Sequence, residues 1–258
     1  MNGRGRIFCR HQPWVRTSLF LVVAVGIFGV VIYFWDRNST TDFAITAEAP
    51  FSEHIYTPEY AKIVALTFDD GPSRLVTPRV LEILREKNAV ATFFELGSLV
   101  RQNPDITRQI IAQGSEVESH TMYHRDFSRD SINTIASDVN ESRVAFSEIG
   151  VEVRAVRTPY GISNSNVKNA VGLPIVLWTV DTLDWKSKNA EEIKAIVMRD
   201  VFDGAIILMH DIYDSSADAV GWIIDTLREQ GYDFVTVSEM ARMRNTEMQP
   251  GAVYGSFR

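Results

Sequence analysis

Cysteine is almost missing from this chain. Among 258 residues there is one, Cys9, so no intramolecular disulfide can form. Because Cys9 precedes a long apolar run, its presence neither requires nor excludes an oxidising compartment for the rest. Histidine is scarce as well: His11, His54, His120, His124 and His210 are the five. No internal repeat or low-complexity tract is found, which excludes a repeat architecture. Excess positive charge is also absent. The formal net charge is −7, and Arg4, Arg6, Arg10 and Arg16 stand in an opening segment without any acid, so the remainder is more acidic still. Such a balance argues against nucleic acid or an anionic membrane surface as partner, and suits a neutral substrate or a cationic product.

One apolar run stands out. Residues 17–35, from Thr17 to Trp35, carry no charge and are rich in Val, Ile, Leu and Phe, long enough to cross a bilayer as a helix. The four arginines before it predict a cytoplasmic N-terminus, and Tyr33, Phe34 and Trp35 form an aromatic belt at the far end. A cleaved signal peptide is the rival reading, but Ala47-Glu48-Ala49, which resembles a cleavage site, lies too far from the run. The expected organisation is a basic cytoplasmic segment over 1–16, a single transmembrane anchor over 17–35, a polar linker over 36–60, an extracellular domain over 61–245 and a loosely ordered tail over 246–258.

From Ala61 onward, apolar runs of strand length alternate with amphipathic windows. Strands are expected near Lys62–Phe68, Val90–Glu95, Ser115–Ser119, Glu152–Arg157, Pro174–Val180, Ala205–His210 and Asp233–Val237. Helices are expected at Thr77–Lys87, Pro104–Gln113, Ile132–Ile149, Ala190–Val201 and Ala217–Gln230. This alternation implies a parallel α/β sheet, doubly wound or closed as a barrel of about seven strands. Barrel enzymes gather their chemistry at the C-terminal strand ends. Asp69 and Asp70 end the first expected strand, His120 and His124 follow the third, and Arg157 ends the fourth. Asp181 and Asp184 follow the fifth, and His210 ends the sixth.

Three motifs carry chemistry: Thr67-Phe68-Asp69-Asp70-Gly71, His120-Thr121-Met122-Tyr123-His124 and Leu208-Met209-His210-Asp211. Singly each is weak. A lone pair of histidines four apart is more often two surface side chains than a metal site, and Asp-Asp-Gly-Pro alone could be a turn. Together they supply a carboxylate and two imidazoles for a metal, a second carboxylate for a base and a third imidazole for an acid, the parts of metal-assisted hydrolysis. On a helical turn His120 and His124 would share one face. The turn at Gly71-Pro72 could bring both aspartates to the rim, since adjacent residues of a straight strand point oppositely. Arg157 favours an ionised neighbour if it pairs with a carboxylate. Asp211 could simply shape its loop.

With Arg157-Thr158-Pro159-Tyr160-Gly161 and Asp181-Thr182-Leu183-Asp184-Trp185, five motifs stand in order. The chain from about Lys62 to Met240 resembles the polysaccharide deacetylases of carbohydrate esterase family 4, which share the NodB homology domain. The stretches 180–189 and 207–212 look most like Gram-positive peptidoglycan N-acetylglucosamine deacetylases. The resemblance implies a distorted (β/α) barrel. It implies a divalent metal held by Asp70, His120 and His124, with zinc expected first and cobalt, manganese or nickel also compatible. It further implies Asp69 as general base tethered by Arg157, His210 as general acid oriented by Asp184, and the Tyr160 backbone N–H as an oxyanion donor. Trp185 and Leu208 would wall the acetyl pocket. The implied substrate is N-acetylglucosamine of peptidoglycan, with chitin oligosaccharide, poly-N-acetylglucosamine or acetylxylan as alternatives. A binding protein on the same fold would have lost the base or a metal ligand, and neither is lost. A glycoside hydrolase would need two carboxylates but not the spaced histidines. One departure is Glu118-Ser119, where the family commonly has Gly-Asn before the first metal histidine; the added carboxylate could reach the metal or point away.

Overall fold

The structure is a computed structural model describing residues 62–258 and the backbone of two short segments before them. The expected basic segment over 1–16 and the linker over 36–60 lie outside the described residues. The chain divides into two units, Met1–Glu48 and Ala49–Arg258.

In the first unit, β1 (Leu21–Gly26) pairs antiparallel with β2 (Gly29–Phe34), with Leu21 opposite Phe34 and Gly26 opposite Gly29. This corrects the single helix expected over 17–35. The segments are dominated by valine, whose branched Cβ is restricted in a helix and suits a strand. Glycines flank the connection. Among the described residues, no helix is long and apolar enough to cross a membrane.

The second unit is α/β. β3 (Lys62–Asp69) is its central strand, and all its residues but the first are buried. That is why its sequence reads as a nearly continuous apolar run. β3 is flanked by β4 (Thr92–Glu95) and β8 (Ile206–His210); β5 (Glu116–Ser119) lies beyond β4 and β7 (Val180–Asp181) beyond β8. All these pairs are parallel, and β9 (Tyr232–Phe234) pairs with the start of β3. The connecting helices include α1 (Thr77–Glu86), α2 (Gly97–Gln102), α3 (Pro104–Ala112), α4 (Ile132–Ser147), α5 (Ser165–Ala170), α6 (Asp184–Ser187), α7 (Ala190–Asp200), α8 (Asp214–Glu229) and α9 (Val237–Met243). The core between sheet and helices is built on residues such as Leu66, Phe68, Phe93, Val180 and Met209, all inaccessible.

Two expected strands are largely dissolved. Glu152–Arg157 contributes only a bridge at Val156, parallel to Ser119 on one side and Ile175 on the other. Part of its ladder is replaced by Glu118, whose Oε2 accepts the backbone N–H of Arg154 at 2.7 Å and of Ala155 at 2.8 Å. Pro174–Val180 is split into β6 (Ile175–Val176) and β7.

The tail, expected to be loose, closes the sheet instead. β10 (Val253–Tyr254) pairs parallel with β6, and Ser256 bridges Ala205 just before β8. The pairing path that leaves β8 through β3, β4, β5, Val156, β6 and β10 therefore returns to β8. Phe257 is buried in the core. Gly204, with φ of +87°, lets its carbonyl accept the Phe257 N–H at 3.0 Å; a Cβ there would collide with the Phe257 carbonyl. A two-residue strand has no periodicity to detect, so this closure was invisible in the sequence pattern.

Candidate active site

Strand register sets the frame. Asp69 pairs directly with His210 across β3 and β8. The next residue, Asp70, has φ of +73°, a left-handed conformation that breaks the alternation of the strand. Both carboxylates therefore reach the same rim. Gly71 follows because the Asp211 carboxylate lies within 2.5–2.6 Å of where a Cβ would be.

Asp69 is nearly inaccessible and accepts a hydrogen bond from Arg157 Nη1 at 2.7 Å. Arg157 is fully buried. It also donates to Thr67 Oγ1 at 2.8 Å and to the carbonyls of Val176 and Leu177 at 3.1 and 3.0 Å, and its guanidinium lies 4.0 Å from the Phe94 ring centroid. Four hydrogen bonds and a ring face thus satisfy a cation that could not otherwise be buried. The Arg157 carbonyl accepts the Nδ1–H of His120 at 2.8 Å. Fixing the proton on Nδ1 leaves the lone pair on Nε2.

That lone pair faces Asp70. Asp70 Oδ1 lies 3.4 Å from His120 Nε2 and 3.5 Å from His124 Nε2. One ligand atom from each of the three lies within 4.8 Å of the others, which suits bonds of about 2 Å to a common ion. Asp70 Oδ1 is buried and has no hydrogen-bond partner, as expected of an atom meant for a cation. Burial works to raise Asp70, but the adjacent His120 imidazole, with His124 and His210, holds it down at about 2. Burial disfavours charge on His120, yet Asp69 and Asp70 outweigh it and raise that group. His124 is lowered by burial and by His120. The donor set fits a divalent ion.

The two histidines do not converge as expected. Residues 120–124 form a loop, not a helical turn, with Thr121 at φ of +69° and His124 at +53°. The loop itself brings the imidazoles to a centroid separation of 5.0 Å. Glu118 turns away from these side chains to the backbone at Arg154 and Ala155, so its role here is structural.

His210 lies opposite. Asp184, fully buried at the start of α6, accepts from His210 Nδ1 and from the His210 backbone N–H, both at 2.7 Å, from Ser216 Oγ at 2.6 Å and from the Trp185 N–H at 2.8 Å. Burial works to lower His210, but Asp184, joined by Asp69 and Asp70, pushes it up to about 9. His210 Nε2 faces Asp70 Oδ2 at 4.0 Å.

Tyr160, at φ of +58° in a short turn, is largely exposed with its ring 4.8 Å from that of His124. Trp185 is half exposed beside Asp184, and Leu208 is buried on β8. Asp181 accepts the Leu183 N–H at 2.9 Å and supports the turn into α6. Asp211 accepts from the Thr77 hydroxyl and is pushed up to about 7, chiefly by burial, so it shapes the loop. Sequence reasoning gave no role to Ser216 or Tyr213. Ser216 lies among the small polar residues of α8 and carries no signal of its own. Tyr213, whose ring is 5.9 Å from that of His210, could have been noticed three residues after a motif histidine.

A parallel α/β sheet gathers carboxylates and histidines at its strand ends, among them an Asp-His-His group that could hold a metal ion. Residues 57–174 match the polysaccharide deacetylase family. Peptidoglycan-N-acetylglucosamine deacetylase PgdA of Listeria monocytogenes is 42% identical over 180 residues, covering 69% of this chain and 39% of that protein. A peptidoglycan-N-acetylglucosamine deacetylase of Bacillus cereus is 37% identical over 196 residues, covering 73% of this chain and 92% of that protein. Among solved structures, a family 4 acetyl xylan esterase from Clostridium thermocellum, in complex with a cobalt ion, superposes with a TM-score of 0.72 at 32% identity, covering 76% of this chain and 98% of that one. The chain belongs to the polysaccharide deacetylase family. It spans well under half the length of the Listeria relative.

Proposed function

We propose that this chain is a metal-dependent de-N-acetylase that removes acetyl groups from N-acetylglucosamine of peptidoglycan. The observation that carries the reading is the convergence of Asp69, Asp70, His120, His124 and His210 on one rim, with Asp69 and His210 in direct register on neighbouring strands. The names of the Listeria and Bacillus relatives favour peptidoglycan as the polymer.

Amide hydrolysis needs a polarised carbonyl, an activated water and a proton for the departing nitrogen. Asp70, His120 and His124 would hold a divalent ion, zinc first among the candidates, which supplies Lewis-acid polarisation of the acetamide carbonyl and easier deprotonation of water. Asp69, aimed by Arg157, takes the proton of the attacking water. The backbone N–H of Tyr160 stabilises the charge that develops on the acetyl oxygen. His210, held by Asp184 through Nδ1, delivers a proton from Nε2 to the leaving amine. Trp185 and Leu208 wall the pocket of the acetyl methyl group.

We further infer attachment to the cell membrane through residues 17–35, with a cytoplasmic N-terminus and the enzyme outside. The run is uncharged and follows Arg4, Arg6, Arg10 and Arg16, the basic flank that marks a cytoplasmic side. Protease treatment of wall-stripped cells should then remove the enzyme; a mature N-terminus near Pro50 would show a processed, released protein.

Acetate release from purified peptidoglycan, chitin oligosaccharide, poly-N-acetylglucosamine and acetylxylan tests the substrate. Peptidoglycan is expected to be turned over most efficiently. Release from acetylxylan alone would overturn the reading.

A further inference from the structure

The loop between the two metal histidines consists of three residues, and α4 reaches each of them. Met122 donates its backbone N–H to Asp138 Oδ1 at 2.7 Å. Thr121 donates its N–H to Ser119 Oγ at 3.0 Å, and that hydroxyl lies 2.8 Å from Ser142 Oγ. The Tyr123 hydroxyl donates to Glu141 Oε1 at 2.7 Å. From the other side the start of α2 closes the clamp, with Gly97 N–H on the Thr121 carbonyl at 3.0 Å and Ser98 N–H on the Met122 carbonyl at 3.2 Å.

Asp138 and Ser142 stand four apart, one helical turn, on the buried face of α4 beside Ile135, Val139 and Phe146. Polar groups in such an apolar stripe are costly unless they are bonded. Asp138 is more than nine-tenths buried and its Oδ2 has no hydrogen-bond partner, so packing alone does not account for it. The loop it holds is strained: Thr121, a β-branched residue, and His124 both adopt positive φ. Such conformations persist only where the surroundings over-determine them.

We propose that Asp138 and Ser142 are positioning residues of the metal site, setting the separation and orientation of the His120 and His124 imidazoles. The inference rests on the metal-site reading above. It requires that their loss weaken metal binding itself and not merely the fold.

The test is zinc affinity of the full chain by competition with a chelating dye, alongside the melting temperature of the metal-free protein. Asp138→Ala should weaken zinc binding by about 10–100-fold, the range for outer partners of metal ligands. Asp138→Asn keeps an oxygen acceptor and should recover most of that loss. Val139→Ala, a neighbouring core truncation, should lower the melting temperature and leave zinc affinity unchanged. If Asp138→Ala fails to fold, Ser142→Ala decides: weaker zinc binding supports the proposal and unchanged binding overturns it. Equal effects of Asp138→Ala and Val139→Ala on affinity would also overturn it. Wild type that binds no zinc would sink the metal reading as a whole, whereas zinc-binding wild type with indifferent variants sinks this inference alone.

Discussion

On one side of the site a buried arginine, Arg157, holds the carboxylate of Asp69; on the other a buried aspartate, Asp184, holds the imidazole of His210. Both holders are fully inaccessible, and both are tied to the main chain as well as to their client. The signs are reversed. A buried cation favours an anionic carboxylate and a buried anion favours a cationic imidazole, so one device stabilises opposite charges on the two sides of the rim. The two sides also differ. Arg157 reaches the candidate metal group too, because its carbonyl accepts from His120, whereas among the described histidines Asp184 bonds His210 alone. Damage to the first side should therefore spread further.

The largest effect is expected from Arg157→Met. Removing one partner of a buried ion pair costs about 3–5 kcal/mol because the other charge is left uncompensated. Chemical denaturation should show that loss, and a change below about 1 kcal/mol would mean that Asp69 is adequately solvated without its arginine. Asp69→Asn should lower kcat by about 10²–10⁴, the usual range for an acid–base group, with zinc affinity retained. His210→Ala should slow N-acetyl sugar turnover within that range but spare an activated acetyl ester, whose leaving group needs no proton. An unchanged amide-to-ester ratio would remove His210 from the acid role.

The smallest effect is expected from Asp184→Asn, and it is best read against pH. His210 lies at about 9 in the folded chain against an ordinary 6.5, mostly through Asp184 overcoming burial. The folded state therefore holds the extra proton between those values. In metal-free protein, the stabilisation from this group is fully present below about 6.5 and is lost as pH rises to about 9. Activity that depends on protonated His210 should likewise fall at alkaline pH. Asp184→Asn should move that limb downward and lower kcat by less than His210→Ala does. A pH profile identical to wild type would show that Asp184 does not control the imidazole.

The parallel α/β fold and the composition of the rim were legible in the sequence. The run Ile63-Val64-Ala65-Leu66 reads as a buried strand, and its end places Asp69 where β8 brings His210. Those inferences depend on local periodicity and on side-chain chemistry, which the amino acids themselves determine. Tertiary structure decided the rest. The left-handed turns at Asp70, Thr121 and His124 are disfavoured locally and exist because distant groups hold them, so the spacing of His120 and His124 suggested a helical turn instead. Glu118 turns to the backbone of Arg154 and Ala155 because an adjacent segment lacks ladder partners there. Phe257 is core because the sheet has a seam for the tail to close. Each of these is settled by a partner far away in the chain, and a short stretch of sequence carries no record of which partner it will meet.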